Sequence, residues 1–430
     1  MRERTDFTSQ VIAVLCAACI LLISGCTSTS PSSYSSPAAQ APVRESSSAS
    51  PEITTYFVDQ AGVQQLNTRS GQRELLIPLD EYSVQKRVAP DEQKMAVSYM
   101  EGDSTKVVVI EIGSGRVQQL YAGPADKSYS FEWSPESTEL AIGFFSERKS
   151  GDVYVADEGN IVIADLNGDI RNLGCGVSKK VDAWLPNGDL VVSEGRGSRS
   201  MYVVDSTDCR TLATVPIENK RQISFSPNGQ YFLYYESVPV QDRSTGQTTN
   251  VPELHVARND GSEIEKVAGY TYEPQNAAWS PDGQQIAFDV RSPEWSNIRH
   301  IAVYDLSANE ATFHQKENML GLPTSERPFW SPDGNRLLYF NSYERGDQFR
   351  VSHHIYRNVV RNLRTEEVTV LTEELVQLGQ SSEVGMPTDW IDDRTVLIEN
   401  ADAYRIVDTA TQATREMPSD RTFLYLSRVN

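Results

Sequence analysis

Residues 277–288 read AAWSPDGQQIAF, and residues 327–340 read RPFWSPDGNRLLYF. In each, an apolar run ends on Trp, a Ser-Pro-Asp-Gly tetrad follows, and a second apolar run leaves it. Pro presets φ for an early turn position, Asp accepts from the backbone N–H groups that follow, and Gly takes a positive φ. Each stretch therefore spells two antiparallel strands joined by a tight reversal. Five looser copies keep the same frame: KRVAPDEQKMAVSY at Pro90, SFEWSPESTELAIGF at Pro135, VDAWLPNGDLVVS at Pro186, QISFSPNGQYFLYY at Pro227 and TDWIDDRTVLIEN, where Asp392 stands in the proline place. The turn positions are separated by 45, 51, 41, 54, 51 and 60 residues. Behind each pair comes a third strand with a polar hairpin signal, as in NIVIADLNGD at 160–169 or HIAVYDLSAN at 300–309, and then a short fourth segment such as RVQQLY at 116–121.

Four strands every 40 to 60 residues or so are the mark of β-propeller blades, units that bury their faces only against their neighbours. Residues 53–80 add strands two, three and four of a further blade without its anchor strand, and FLYLSRVN at 423–430 adds an apolar strand without a blade. If the terminal strand supplies the missing one, the N- and C-terminal strands close a ring of eight blades. If it pairs elsewhere, the count is seven. The expected fold is all-β, four-stranded antiparallel blades over residues 53–430. The WSPDG frame resembles the WD-like repeats of TolB-type and dipeptidyl-peptidase-type propellers, a resemblance that implies the fold and not a partner set.

Upstream of the repeats, MRERTDFTSQ precedes an apolar run from Val11 to Ser24 and then Gly25-Cys26. The run is shorter than the roughly 20 residues of a spanning helix and has the length of a signal-peptide core. Ile23-Ser24-Gly25-Cys26 resembles the lipobox of bacterial lipoproteins. By that resemblance residues 1–25 are a signal peptide, Cys26 becomes the acylated first residue, and its lipid ties the protein to a membrane after export. Residues 26–52, rich in Ser, Pro and Ala, cannot bury enough surface to offset their ordering entropy and read as a tether.

The chain has 430 residues, 39% of them hydrophobic and 23% charged, with 59 Asp and Glu against 39 Lys and Arg. A formal net charge of −20 opposes binding to nucleic acid. No G-x-S-x-G elbow or Walker-type phosphate loop is present, and the one CxxC spacing, Cys16 to Cys19, lies inside the apolar run of the signal segment. The five His, namely His255, His300, His314, His353 and His354, show no ligand spacing, so no metal and no cofactor is expected. Cys175 and Cys209 are the thiols left after Cys16, Cys19 and Cys26. Export to an oxidising compartment favours their pairing. The strand count argues against it, since one follows a fourth strand and the other lies in a turn between strands three and four. The pairing stays open.

Trp133, Trp184, Trp279, Trp330 and Trp390 share one strand position and read as blade packing; Trp295 does not. Turns between strands one and two, and three and four, fall on one face and are tight. The connections between strands two and three, on the other face, are long: 146–160, 237–253, 290–300 and 341–354. Arg148, Arg196, Arg199, Arg243, Arg291, Arg299, Arg345 and Arg350 fall in the strand two to three connections, Arg196 and Arg199 in a shorter one. Arg and Trp are enriched in binding hot spots. These Arg residues and Trp295 are therefore the candidate contacts of a monomeric, non-catalytic scaffold for an envelope protein, peptide or glycan. The alternative function is a lyase or hydrolase of extracellular polysaccharide, with carboxylates and His at the channel mouth.

Overall fold

The computed structural model describes residues 52–429 apart from 68–69, 80–83, 151–152, 176–179, 195–199, 242–247, 263, 270–272, 292–297, 315–323, 348–349, 378–384, 401–402 and 419–421. The backbone alone is described at 52–53, 147–150, 153–158, 344–347, 350–352, 417–418 and 422–429. Eight four-stranded antiparallel sheets make up the described residues, with no helix among them. Blade I consists of Thr422–Val429, Glu52–Asp59, Gly62–Asn67 and Arg73–Pro78. Blade II runs from Gln85 to Pro124, blade III from Ser128 to Asn172, and blade IV from Lys180 to Pro216. Blade V runs from Lys220 to Ala268, blade VI from Gln275 to His314, blade VII from Thr324 to Gln377, and blade VIII from Met386 to Pro418. The chain is an eight-bladed β-propeller. The terminal strand does complete the first blade, with Glu52 opposite Val429 and Val58 opposite Thr422.

Eight apolar clusters hold the ring, one at each junction between successive blades. The cluster that closes it brings Phe57 and Leu66 of blade I against Leu397, Tyr404 and Ile406 of blade VIII. Each such side chain taken out of water stabilises the fold by about 1.5–3 kcal/mol. This is why strands that alternate apolar residues on both faces can be stable only in a closed ring.

The turns form as their residues dictate. In blade VI, Gly283 N–H donates to Ser280 O at 2.9 Å, Gln284 N–H to Asp282 Oδ1 at 3.0 Å, and Gln285 N–H to Ser280 Oγ at 2.9 Å. Gly283, Gly334 and Gly229 take φ of 68°, 69° and 66°. The degenerate copies keep the geometry without Gly, with Glu92 and Ser137 at φ of 55° and 59°.

In blades III, V and VII the long connections between strands two and three are largely extensions of the strands. In blade III the hairpin is Glu139–Ser150 with Val153–Asp165. Blade V has Tyr231–Gln241 with Thr248–Arg258, and blade VII has Arg336–Asp347 with Arg350–Asn362. These strands have 11 to 13 residues, whereas strands two and three of blades II, IV, VI and VIII have 4 to 8. Every second blade from III to VII thus carries a tall hairpin on the same face.

Candidate functional site

The innermost strand of each blade lines the channel, and in blades IV to VIII that strand is bulged just before the anchor residue. Register breaks fall at Val181/Ala183, Arg221/Ser224, Gln275/Ala278, Glu326/Phe329 and Pro387/Asp389. Gln222, Asn276 and Arg327, each three residues before its anchor aromatic, take left-handed φ of 52°, 49° and 56°. A bulge re-aims side chains and leaves a backbone donor outside the ladder. The preceding blade accepts it: Val181 N–H donates to Ser130 Oγ at 2.9 Å, Ala277 N–H to Tyr235 Oη at 2.9 Å, and Arg327 N–H to Asp289 Oδ2 at 3.1 Å.

The anchor Trp residues add a second clasp. Trp133 Nε1 donates to Arg87 O, Trp279 Nε1 to Ser224 O, Trp330 Nε1 to Ala278 O and Trp390 Nε1 to Phe329 O, at 2.9 to 3.1 Å. The acceptor is in every case the residue just before the anchor of the preceding blade. Trp184 departs from this. Its Nε1 donates to Gly188 O in its own turn at 3.1 Å, so the equivalent carbonyl, that of Glu132, receives no indole. Blade IV also has Leu185, buried at 1% exposure, where the other Trp-anchored turns of blades III, VI and VII have Ser134, Ser280 and Ser331.

A cavity of about 640 Å³ lies against the inner strands of blades II to V at this junction. Among its described lining residues are three cations, Arg87, Lys180 and Lys220, and two carboxylates, Glu132 and Asp182, above the aromatic anchors Trp133, Trp184 and Phe225. Arg87 Nε lies 2.7 Å from Glu132 Oε1, and Lys180 Nζ lies 2.7 Å from Asp182 Oδ1. The cations are the accessible partners: Arg87 and Lys180 side chains are 55% and 47% exposed, against 22% and 16% for Glu132 and Asp182. Burial pushes the Glu132 carboxyl above the usual range, Arg87 opposes this, and Asp182 adds to it. Lys220 Nζ sits 4.7 Å from the centre of the Tyr234 ring. A second cavity, of about 990 Å³, borders blades II, VI, VII and VIII and contains Lys86 and Asp389. Burial lowers the first and raises the second, and each partly offsets the other's shift.

Five of the nine expected contact residues fall among the described residues, three of them with backbone alone. Arg299 is a correction: it is 8% exposed, in the strand Arg299–Asp305, and is not a surface contact. Its Nε donates to Asp289 Oδ1 at 2.5 Å and its Nη2 to Glu273 O at 2.9 Å, because Asp289 is fully buried and requires a cation. Arg291 ends its strand, half-exposed and paired with Glu273 Oε2 at 3.0 Å. Arg148, Arg345 and Arg350 lie on the hairpin strands of blades III and VII, with only their backbone described. Arg196, Arg199, Arg243 and Trp295 fall outside the described residues, as does Cys26.

Cys175 and Cys209 are joined by a disulfide with Cα atoms 5.2 Å apart. The objection from strand count does not apply, since the fourth strand of blade III, Ile170–Asn172, is only three residues long. Cys175 therefore stays near the end where that strand began, beside the Cys209 turn of blade IV, and Arg171 Nη1 donates to Ser206 O in that turn at 2.7 Å.

Among the described residues, no group of three or more His, Cys, Asp or Glu is placed to hold a metal ion. His255 stacks on Tyr234 at 5.3 Å, and His354 on Tyr356 at 6.0 Å. Burial, and after it Arg361, push His314 down to about 4. An unfolded His titrates near 6.5, so the stability gained by keeping His314 neutral is complete above about pH 6.5 and is lost as pH falls toward 4. His255 and His300 are lowered by burial in the same direction. The urea midpoint is therefore expected to drop on acidification from pH 7 to 4.5, and His314→Gln to flatten part of that drop. An unchanged slope in the variant would assign the acid sensitivity elsewhere.

Solved structures share this architecture at low identity. TolB from Acinetobacter baumannii aligns at 11% identity and TM-score 0.32, over 76% of this chain and 64% of its own. This chain thus spans less than two thirds of that TolB. An oligogalacturonate lyase in complex with manganese aligns at 11% and 0.38, over 86% and 82%. Dipeptidyl peptidase 4 from Porphyromonas gingivalis aligns at 11% and 0.46, over 80% and 53%. No family model matches the chain, and no curated protein does. These likenesses concern the fold alone.

The cavity residues were missed by a reading that looked at loops. A signal was present: the innermost strands of blades II to V, QKRV, SYSFEW, KVDAW and KRQISF, place charges within five residues of the anchor, where blade VI has QNAAW.

Proposed function

We propose that this chain is a non-catalytic binding module of the cell envelope. Lipid on Cys26 holds it to the membrane, and it takes a protein, peptide or glycan partner on the face rimmed by the hairpins of blades III, V and VII. The observation that carries this reading is the alternation of tall and short blades. Packing within the ring requires only short strands, as blades IV and VIII show with strands of 4 to 6 residues. The extra length of the hairpins is therefore surface built for something outside the ring. Arg148, Arg345 and Arg350 lie on those extensions.

A photo-crosslinking residue placed at 345 or 350 in cells tests it. The full-length chain is expected to capture one discrete partner, and trimming residues 343–352 to a two-residue turn to abolish the product while the fold is retained. A product pattern unchanged by trimming overturns the reading. A second reading, hydrolysis or lysis of an extracellular polysaccharide, has one observation in its favour: Glu132, with its raised proton affinity, shares a cavity with Asp182. Both carboxylates are held in ion pairs, which suits fixed recognition better than proton transfer.

A further inference from the structure

The cavity at the junction of blades III and IV differs in sign from the rest of the molecule. Among the described residues, three cations and two carboxylates line it, a local charge of +1 in a chain whose formal charge is −20. The carboxylates are recessed and the cationic heads stand in front of them. Arg87 uses Nε for Glu132 and Nη1 for the Lys86 carbonyl, at 2.7 and 3.0 Å, and Nη2 remains as a donor edge. At the same place the ring leaves out one of its repeated clasps, so the Glu132 carbonyl, unlike those of Arg87, Ser224, Ala278 and Phe329, is not capped by an indole. The exposed side chain of Gln222 adds a donor and an acceptor, and the partly exposed Trp184 and Phe225 form an apolar floor.

A ligand matching this set carries an anion for the cations, an N–H group for a backbone acceptor, and some apolar surface. A peptide with a carboxylate has all three. We propose that this cavity is a binding site for a carboxylate-bearing peptide segment, its carboxylate held among Arg87, Lys180 and Lys220 and its backbone N–H groups directed to the inner-strand carbonyls around Glu132. The inference rests on the binding reading above and names a ligand chemistry for it. Carboxylate-to-Arg and carboxylate-to-Lys bonds are charge-assisted and stronger than neutral ones. The low dielectric of a channel wall strengthens them further.

The test is a fluorescence-anisotropy titration of the full chain with labelled hexapeptides. One peptide is Glu-rich with an amidated C-terminus, one is its Gln counterpart with a free C-terminal carboxylate, one is the Gln counterpart amidated, and one is Lys-rich. The first or the second is expected to bind at least tenfold more tightly than the third and fourth, and which of the two does so identifies a side-chain or a terminal carboxylate. Arg87→Gln and Lys180→Gln, both at exposed side chains, are each expected to weaken that peptide five- to tenfold with the thermal midpoint unchanged. Arg405→Gln, on an outer strand of blade VIII, serves as the control and is expected to change nothing. Equal binding of all four peptides, binding unaffected by the cavity variants, or no binding to the parent chain overturns the inference. Those outcomes leave the hairpin-dependent crosslink untouched, so failure of the ligand chemistry and failure of the binding reading are told apart.

Discussion

Replacing Asp289 by Ala is expected to destabilise the ring by about 3–5 kcal/mol, the range for removing one partner of a buried ion pair. Asp289 is fully buried and joins two blades: it accepts from Arg299 Nε at 2.5 Å, from Asn276 Nδ2 at 2.7 Å, and from the bulge N–H of Arg327 in blade VII at 3.1 Å. Without it, the guanidinium of Arg299, whose side chain is 10% exposed, is left as an uncompensated charge, and a backbone donor loses its acceptor. The cost is large because water cannot replace the carboxylate. Urea unfolding at pH 7 measures it. Replacing both residues, as Asp289→Ala with Arg299→Met, is expected to recover more than half of the loss, since the stranded charge goes with its partner. A single Asp289→Ala variant less than 1 kcal/mol weaker than the parent would show that the pair is not structural.

The second large effect is expected at the Cys175–Cys209 disulfide. It links residues 34 apart in sequence, and constraining a loop of that length in the unfolded chain is worth about 3–4 kcal/mol at 25 °C. Its location gives it a further role. It joins the end of blade III to a turn of blade IV, the junction where Trp184 turns its indole inward and the clasp found at four other junctions is missing. The same pair of blades is thus joined covalently. Reductant is therefore expected to lower the urea midpoint of the parent and to leave that of the Cys175→Ser, Cys209→Ser double variant unchanged. Peptide mapping without reduction is expected to recover the two cysteines in one linked peptide. Two free thiols at these positions in the protein isolated without reductant would refute the pairing.

The sequence by itself determined the architecture. The seven visible turns, their spacing, the Trp anchors and the orphan strands at 53–80 and 423–430 sufficed for a ring of four-stranded blades, because these signals are local and repeat, and left seven or eight blades open until the pairing of Thr422–Val429 with Glu52–Asp59 fixed eight. Only the tertiary structure decided what faces what across blades. Arg299 read as a loop cation, since its partner Asp289 sits in the preceding strand as one more polar residue among apolar ones. Cys175 and Cys209 read as lying at opposite ends of their blades because Cys175 follows a fourth strand, but that strand, Ile170–Asn172, has only three residues. The hairpins of blades III, V and VII read as loops, since their polar residues hide the pairing that backbone hydrogen bonds impose. The cavity lined by Arg87, Glu132, Lys180, Asp182 and Lys220 draws on four blades whose anchors lie 41 to 51 residues apart. A repeat specifies how each blade folds against the next; the charges it leaves on the inner strands meet only once the ring has closed and brought the strand edges to a common axis.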